Sequence, residues 1–441
     1  MKSLFICLLT LISITSFFRN ESLAQLKWRA LNAPLTPVFR FEDIFFVNAK
    51  TGWTITSQSL DSNNVSHILK TTDGGASWSH QTDSLTRYYR CLGFADSLNG
   101  WIGTFGFDYK TIIRTTNGGA NWIPSLSTPP SDSCNVCGLY VVNKDIVYGC
   151  GRFYGPAKFY KTTNGGLNWT VKDMSSYARG LVDCYFSSPD SGFVVGGVDG
   201  IWPDVKGIVL FTSDGGETWT EKYRTIARKQ WGWKINFPSK STGYISLESY
   251  APQNQILKTT NGGVNWVEKP FISNYNQEGI GFINENTGWV GGGPNAYKTT
   301  NGGNNWSLDN SFGRNMNRFR FLNDTLAYAA GDKVYKFSRD STVGINLISS
   351  FVPDEFHLKQ NYPNPFNPGT KIRFDVASPV AEVKLEVYNS LGQVVEILIN
   401  KILTTGTYEV EFSAQNHPSG VYYYRLMTNN YAEIKKMMLI K

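Results

Sequence analysis

Six copies of one phrase, Thr-x-Asp/Asn-Gly-Gly-x-x-Trp, constrain the fold of this chain more than any other feature. They occupy residues 71–78, 115–122, 162–169, 212–219, 259–266 and 299–306, and successive Trp residues are 44, 47, 50, 47 and 40 positions apart. A period near 45 is too long for one hairpin and suits a four-stranded propeller blade. The pairs that mark the phrase are Asp73/Trp78, Asn117/Trp122, Asn164/Trp169, Asp214/Trp219, Asn261/Trp266 and Asn301/Trp306. Asp/Asn-Gly supplies positions that tolerate positive φ, as a tight turn between twisted strands requires. The Asp or Asn side chain and the Thr hydroxyl can bond nearby backbone. The Trp is expected to pack back over the corner while its ring N–H finds an acceptor. None of these parts makes a nucleophile, a base or a metal cage.

A second repeat alternates with the first. An aromatic residue is followed seven positions later by another, mostly aromatic and usually after Gly: Phe46/Trp53, Phe94/Trp101, Tyr140/Val147, Phe186/Phe193, Phe237/Tyr244, Phe282/Trp289 and Phe321/Tyr328. Each pair reads as strand, polar turn, strand. Seven pairs stand against six Gly-Gly phrases, and a lone Trp28 opens the mature chain. Residues 25–338 are therefore expected to form a seven-bladed β-propeller whose last blade is completed by the strand around Trp28. That closure removes two free sheet edges.

The phrases resemble the Asp-box (BNR) repeats of sialidase-like propellers. With the aromatic companion they look closer to the photosystem II assembly factor (Ycf48/Hcf136-like) group. The resemblance spans about 300 residues and implies a fold, because Asp boxes occur in hydrolases, binders, receptors and assembly factors alike.

After residue 338 the pattern stops. A linker over 339–355 leads to a Pro-rich entry and then to short alternating strands at 371–376, 383–388, 394–398, 407–412, 421–426 and 433–440, the pattern of a small Ig-like β-sandwich over 356–441. The whole chain is thus read as all-β. Pro363, Asn364, Pro365, Phe366, Asn367 and Pro368, then Gly406 and Tyr408, Gly420 and Tyr422, and the ending with Lys435, Lys436 and Lys441 closely resemble the type A C-terminal sorting domain of the type IX secretion system of Bacteroidetes. The resemblance implies recognition by an outer-membrane translocon and delivery, via the periplasm, to the medium or the outer cell surface, with surface attachment in some members. Residues 1–24 fit as the export signal. Lys2 supplies the positive end, 4–18 is apolar, and Ser22, Leu23 and Ala24 precede a cut at Gln25.

Composition narrows the functional classes. Net charge is +7, from 42 basic and 35 acidic residues without a basic run, so no nucleic-acid partner is expected. Cys91, Cys134, Cys137, Cys150 and Cys184 remain after the signal, an odd number. Cys134-x-x-Cys137 lacks a second CxxC or His pair to complete zinc, so a disulfide is the better expectation, and a hairpin turn at 143–145 would bring Cys137 beside Cys150. No metal and no cofactor are expected.

Chemistry is harder to find. Phe39-Arg40-Phe41-Glu42 is the nearest match to the sialidase arginine motif and lacks its Ile-Pro. Glu42, Asp43, Asp183 and Glu278 fall on innermost strands, although a glycosidase needs two facing carboxylates. No catalytic residue is assigned. Aligned on the first aromatic, the units place Asp43, Cys91, Cys137, Asp183, Lys234, Gly279 and Arg318 at one position, a heterogeneity unlike a packing layer. The position after it is mostly large and apolar, with Gly138 and Cys184 as the small members. Nearby, Arg87-Tyr-Tyr-Arg90 and Trp231-Gly-Trp233 combine aromatic faces with donors. Arg90, Asp183, Trp231, Trp233, Lys234 and Arg318 are therefore the candidate ligand-binding residues, with blade packing as the plainer role for the Trp and Tyr. The expected function is a monomeric, non-catalytic exported binder of a glycan or a protein. The alternatives are a secreted glycoside hydrolase of sialidase-like type and an envelope-complex assembly factor.

Overall fold

The computed structural model describes residues 26–34, 40–57, 66–84, 87–106, 110–127, 135–152, 155–201, 203–273, 276–338, 346–414 and 417–441. The segment expected to be the export signal, Cys134 and positions 339–345 of the expected linker lie outside the described residues. Every sheet is four-stranded and antiparallel at each pairing, and there are nine of them among the described residues.

Seven sheets follow the repeat. Blade 1, for example, runs Arg40–Phe46, Gly52–Ser57, Ser66–Thr71 and Ser79–Ser84 in spatial order. Blades 2 to 6 repeat this order, with innermost strands Arg87–Phe94, Gly138–Val141, Gly180–Phe186, Gln230–Asn236 and Gly279–Phe282. Blade 7 has three consecutive strands, Arg318–Asn323, Leu326–Ala330 and Val334–Ser338, and takes its fourth from Lys27–Ala30. Trp28 lies opposite Phe337 in that pairing. The innermost strands touch one another in an unbroken cycle, blade 7 meeting blade 1.

The box phrases act as the corners the turn chemistry suggests. In the first, the Thr71 hydroxyl donates to Asp73 Oδ1 at 2.8 Å and accepts from the Gly75 N–H at 2.9 Å, while Asp73 Oδ1 accepts from the Ser77 N–H at 2.9 Å. Gly74 and Gly75 hold φ of 74° and 91°, a region that admits Gly without strain. The corner is also tied to the neighbouring turn. Gly74 N–H donates to Lys50 O at 2.8 Å, and the first Gly of each other box bonds the same turn of its own blade.

The box tryptophans require a correction. Trp219, Trp266 and Trp306 are buried, whereas Trp78, Trp122 and Trp169 are half-buried. The expected acceptor for the ring N–H exists for two of the six. Trp169 Nε1 donates to the Ser125 hydroxyl of the preceding blade at 2.9 Å, and Trp219 Nε1 to Gly216 O at 3.1 Å. Among the described residues, the Nε1 atoms of Trp78, Trp122, Trp266 and Trp306 are buried without a hydrogen-bond partner. Ring packing decides their placement instead. Trp78 meets Phe46 edge-on at 6.2 Å, Trp122 meets Phe94 at 6.0 Å, Trp266 meets Phe237 at 5.8 Å, and Trp306 meets Phe271 at 5.1 Å. Trp219 stands edge-on to Phe159 of the preceding blade at 5.0 Å. Edge-to-face contact plus burial thus outweighs the unmet N–H.

The aromatic pairs work between blades. Trp53 stacks on Phe94 of the next blade at 3.7 Å, Tyr244 on Phe282 at 3.5 Å, and Tyr328 on Phe46 across the seam at 3.4 Å. Such pairs add about 0.5–1.5 kcal/mol each beyond burial. The Gly before the second aromatic has a steric cause: a Cβ at Gly52 would sit 2.5 Å from the Phe46 ring of its own blade. Blade 3 departs from the pattern. Val141 lies opposite Val147 and Tyr140 opposite Tyr148, so Tyr148, not Val147, stacks on Phe186. Its aromatic sits one position early because Val141 takes the place of the Phe and Val147 that of the Gly. In consequence Gly138 replaces Cys137 in the aligned axial position, and Leu139 replaces Gly138 in the packing position.

The last two sheets form the C-terminal sandwich. One contains Asn346–Ser349, Gly406–Ser413, Gly369–Val376 and His357–Leu358; the other contains Val394–Leu403, Ala381–Tyr388, Gly420–Met427 and Ala432–Leu439. Leu385, Val410, Phe412, Tyr424 and Met437 meet in one core between them. Asn346–Ser349 lies within the segment read as linker, yet it pairs with Gly406–Ser413.

Trp28 is 4% exposed and sits within 5.2–5.8 Å of Trp289, Phe312, Phe319 and Phe337. Trp28→Ala is expected to cost about 3–5 kcal/mol, read as a fall in denaturant midpoint. A loss below about 1 kcal/mol would contradict ring closure by this strand.

Candidate functional site: the axial channel

Innermost strands line the axis, and in four blades they carry the same irregularity. Register shifts occur between Phe41 and Asp43, Tyr89 and Cys91, Leu181 and Asp183, and Gly232 and Ile235. A bulge breaks the two-residue alternation and re-aims side chains. Successive residues such as Glu42 and Asp43, or Trp233 and Lys234, thereby both take part in contacts between strands of different blades.

An upper cluster is built on Glu42, which is 1% exposed. Its carboxylate accepts from Arg40 Nε at 2.8 Å, from Asn317 Nδ2 at 3.1 Å, and from Tyr88 and Arg90. Arg40 Nη1 also donates to Glu278 Oε2 at 2.7 Å, and the Arg90 guanidinium lies 5.4 Å from the Trp233 ring centre. Burial pushes the Glu42 carboxyl upward, but Arg40 and Arg90 outweigh it and hold the pKa at about 2. On its edge stands Glu248, raised to about 7 by burial and then by Glu278. Its Oε1 accepts from Tyr250 at 3.2 Å, and its buried Oε2 has no hydrogen-bond partner among the described residues.

A lower cluster is built on Arg318. Nη1 and Nη2 grip Asp183 at 3.0 and 3.2 Å, and Nε lies 3.2 Å from Asp43 Oδ1. Asp43 also accepts from the N–H groups of Ile44 at 2.8 Å and Leu92 at 3.2 Å, and Asp183 from that of Ile235 at 3.2 Å. Each aspartate thus binds the backbone of the following blade while neutralising an arginine of blade 7. Burial opposes ionisation of Asp183, while Arg318 and Lys234 hold its pKa below the usual carboxylate range. Lys234 Nζ is buried without a hydrogen-bond partner among the described residues, and burial, aided by Arg318, pushes its pKa down to about 8.

The structure gathers Arg90, Asp183, Trp233, Lys234 and Arg318 around the axis, all at most 7% exposed. Trp231, 1% exposed, packs with Cys137, Val182 and Val205 beside Trp233. Cluster residues missing from the sequence-derived set of ligand contacts include Arg40, Glu42, Asp43, Tyr88, Glu248, Glu278 and Asn317, and also Arg320, whose Nη2 lies 3.5 Å from Asp43 Oδ2. Two adjacent acids, Glu42 and Asp43, flanked by Phe41 and Ile44 in one strand, are the signal that marks the bulge. The box residues take no part in either cluster. Asp73, Asn117, Asn164, Asp214, Asn261 and Asn301 bind local backbone in their corner turns. Trp78, Trp122, Trp169, Trp219, Trp266 and Trp306 stand in the same corners, each at the end of its box. Cys91, Cys150 and Cys184 are buried free thiols. The expected proximity of Cys137 and Cys150 is present, with Cys137 N–H donating to Cys150 O at 2.8 Å, but no bridge joins them. The Cys150 and Cys184 side chains, from adjacent blades, share one apolar core instead.

In the sandwich, Phe366 is buried and bonds through its N–H and C=O to Met438 and Ile440, clamping the Pro-rich entry onto the last strand. Asn364 Oδ1 accepts from the Met438 N–H at 2.9 Å. Pro363, Pro365, Asn367 and Pro368 stay exposed, as do Lys436 and Lys441. Lys435 is half-buried and pairs with Glu433 at 2.9 Å. The hydroxyls of Tyr408 and Tyr422 each bond a carbonyl four residues upstream, Thr404 and Pro418, at 2.8 Å. Gly406 (φ 151°) lies where a Cβ would meet Leu347 at 2.6 Å.

Comparison with known proteins bears on the two parts separately. Residues 360–441 match the family described as the secretion system C-terminal sorting domain, so the C-terminal part is a type IX sorting domain. It directs export to the cell surface or the extracellular space. The chain is 22% identical over 358 residues, 69% of its length and 80% of the relative, to the chloroplastic photosystem II stability/assembly factor HCF136 of Oryza sativa subsp. japonica. A solved structure described as YCF48 bound to D1 peptide superposes with a TM-score of 0.52 at 16% identity, over 71% of this chain and 96% of that one. The propeller is therefore of the same fold as the Ycf48 group. The extracellular domain of a putative hybrid two-component system from B. thetaiotaomicron aligns with a TM-score of 0.48 at 10% identity, over 93% of this chain and 57% of that one.

Because the Glu42 pKa is depressed in the fold, its stabilisation is fully present above the unfolded value of 4.5 and is lost as pH falls towards about 2. Stability of the full chain should drop through that window. Glu42→Gln should lower stability at pH 7 and flatten the drop, as measured by denaturant midpoints at successive pH values. An unchanged profile in the variant would contradict the assignment.

Proposed function

We propose that this chain is an exported, monomeric β-propeller that binds a glycan or protein ligand at the cell surface without turning it over. The observation that carries the reading is the pairing of its axial carboxylates. Glu42, Asp43, Asp183 and Glu278 each hold a cation. A retaining or inverting glycosidase instead needs one carboxyl free to donate and a facing carboxylate free to attack or to activate water. The peptide in the related propeller structure supports a protein ligand as one option. The likeness to assembly factors is compatible with such binding, and an envelope assembly role is its natural extension. The exposed prolines and lysines of the sorting domain would meet the translocon, and the propeller it carries would then be released or attached at the surface.

One observation favours a hydrolase as the second reading: Glu248, near pKa 7, lies beside Glu278. This is the arrangement in which one carboxyl stays protonated while its neighbour ionises. The experiment is to offer the full-length protein to glycan and peptide arrays and to a panel of fluorogenic glycosides. Retention on an array without sugar release is expected. Turnover that Glu248→Gln abolishes would overturn the binding reading in favour of the hydrolase. A chain ending at Phe351 should remain in the periplasm when cells are fractionated; equal surface display of both forms would contradict the sorting role.

A further inference from the structure

From Arg318 onward along its strand, the innermost strands line a cavity of about 340 Å³. Arg318 and Arg320 from blade 7 line it, with Tyr140 from blade 3, Tyr185 from blade 4 and Asn236 from blade 5, and with Asp324 near the rim. Tyr140, Tyr185, Asn236 and Arg320 occupy one level. Each lies opposite the second aromatic of its blade, at Tyr148, Phe193, Tyr244 and Tyr328. The cavity is thus bounded by the innermost strands of blades 3 to 7.

The charges around it do not balance. In the upper cluster Arg40 and Arg90 face Glu42 and Glu278, two against two. In the lower cluster Arg318, Arg320 and Lys234 face only Asp43 and Asp183 among the described residues. Asp43 is shared: Arg318 approaches one oxygen at 3.2 Å, and Arg320 reaches the other only at 3.5 Å. Arg320 Nε and Lys234 Nζ are buried donors without acceptors among the described residues. Burial raises the Cys91 and Cys150 thiols and the Tyr140 and Tyr185 phenols, so these add no negative charge at neutral pH, and Asp324 is exposed. A buried cation in excess is costly unless an anion meets it.

We propose that this cavity binds the carboxylate of an acidic sugar residue, a uronate. The carboxylate would meet Arg320 and supply the missing negative charge, in the pairing for which guanidinium geometry is suited. Tyr140 and Tyr185, edge to face at 5.4 Å, offer a ring surface for the sugar. Asn236 spends its Oδ1 on the Phe282 N–H at 2.9 Å, a bond that does not use its amide N–H groups, and these together with the rim Asp324 suit hydroxyls. An apolar acid would leave those polar groups unmet, which favours a sugar body. The volume holds one or two rings, near the lower end of ordinary ligand pockets. The inference rests on the binding function proposed above and names its ligand class and place.

The test is isothermal titration of the full-length protein with D-galacturonate and D-glucuronate, and with D-glucose, N-acetylglycine and chloride as comparators. At least one uronate should bind at least tenfold more tightly than glucose and the other comparators. Arg320→Gln should weaken it by tenfold or more with an unchanged melting temperature. Lys234→Met, which restores neutrality without touching the cavity wall, should also weaken the uronate while keeping or raising stability. Equal affinity for glucose and both uronates, or wild-type uronate affinity in Arg320→Gln, would overturn the proposal. Equal affinity for N-acetylglycine or chloride would replace the sugar by a general anion site, and absence of uronate binding would also overturn it. Array retention of neutral glycans alone would defeat the uronate site and leave the binding function standing.

Discussion

Arg318 reaches from blade 7 to carboxylates on two other blades, and the interior of the ring is organised around it. Its guanidinium grips Asp183 with two nitrogens and lies against Asp43 with the third. Those aspartates also take backbone N–H groups from the blades that follow them. Buried ion pairs of this kind contribute little net stability over apolar packing, but losing one partner leaves an uncompensated charge. The junction thus acts as a constraint on arrangement: the blades must meet with these carboxylates aimed at the axis.

Around the junction, apolar interactions supply the larger share of the energy. Second-strand aromatics lie on the next blade, and Trp28 inserts between Trp289, Phe319 and Phe337 to close the seam. The boxes fix the outer corners and bond the adjacent turn of their own blade. Scaffold and address are separate devices. The sorting sandwich has its own core and its own clamp, where Phe366 and Asn364 hold the Pro-rich entry to the last strand.

Much of this architecture was legible in the sequence, because repeats convert one local rule into a global one. The six Gly-Gly phrases, the seven aromatic pairs and the unmatched Trp28 sufficed to expect the ring and its seam. Legibility failed where a local substitution broke the repeat. Val141 and Val147 exchanged the usual Phe and Gly, which moved the aromatic of blade 3 by one position and put Gly138 where Cys137 was expected. The bonding of the box tryptophans was also hidden, because acceptors such as Ser125 come from a neighbouring blade. The axial site was half visible. Alignment found Asp183, Lys234 and Arg318, since those positions vary in chemistry. It missed Arg320 and Glu248 as site residues because their role depends on which strands meet across the axis. It also undervalued Glu42, because a bulge shifts its side chain out of the regular alternation.

The axial charges serve first to hold the ring and only then to shape what it binds. A double-mutant cycle on Asp183 and Arg318 tests this most directly, with Asp183→Asn, Arg318→Met and the pair compared by denaturant unfolding at pH 7. Each single variant should be strongly destabilised, and the double variant should recover about 2 kcal/mol relative to their sum. Strict additivity, or single variants as stable as the parent, would contradict the account.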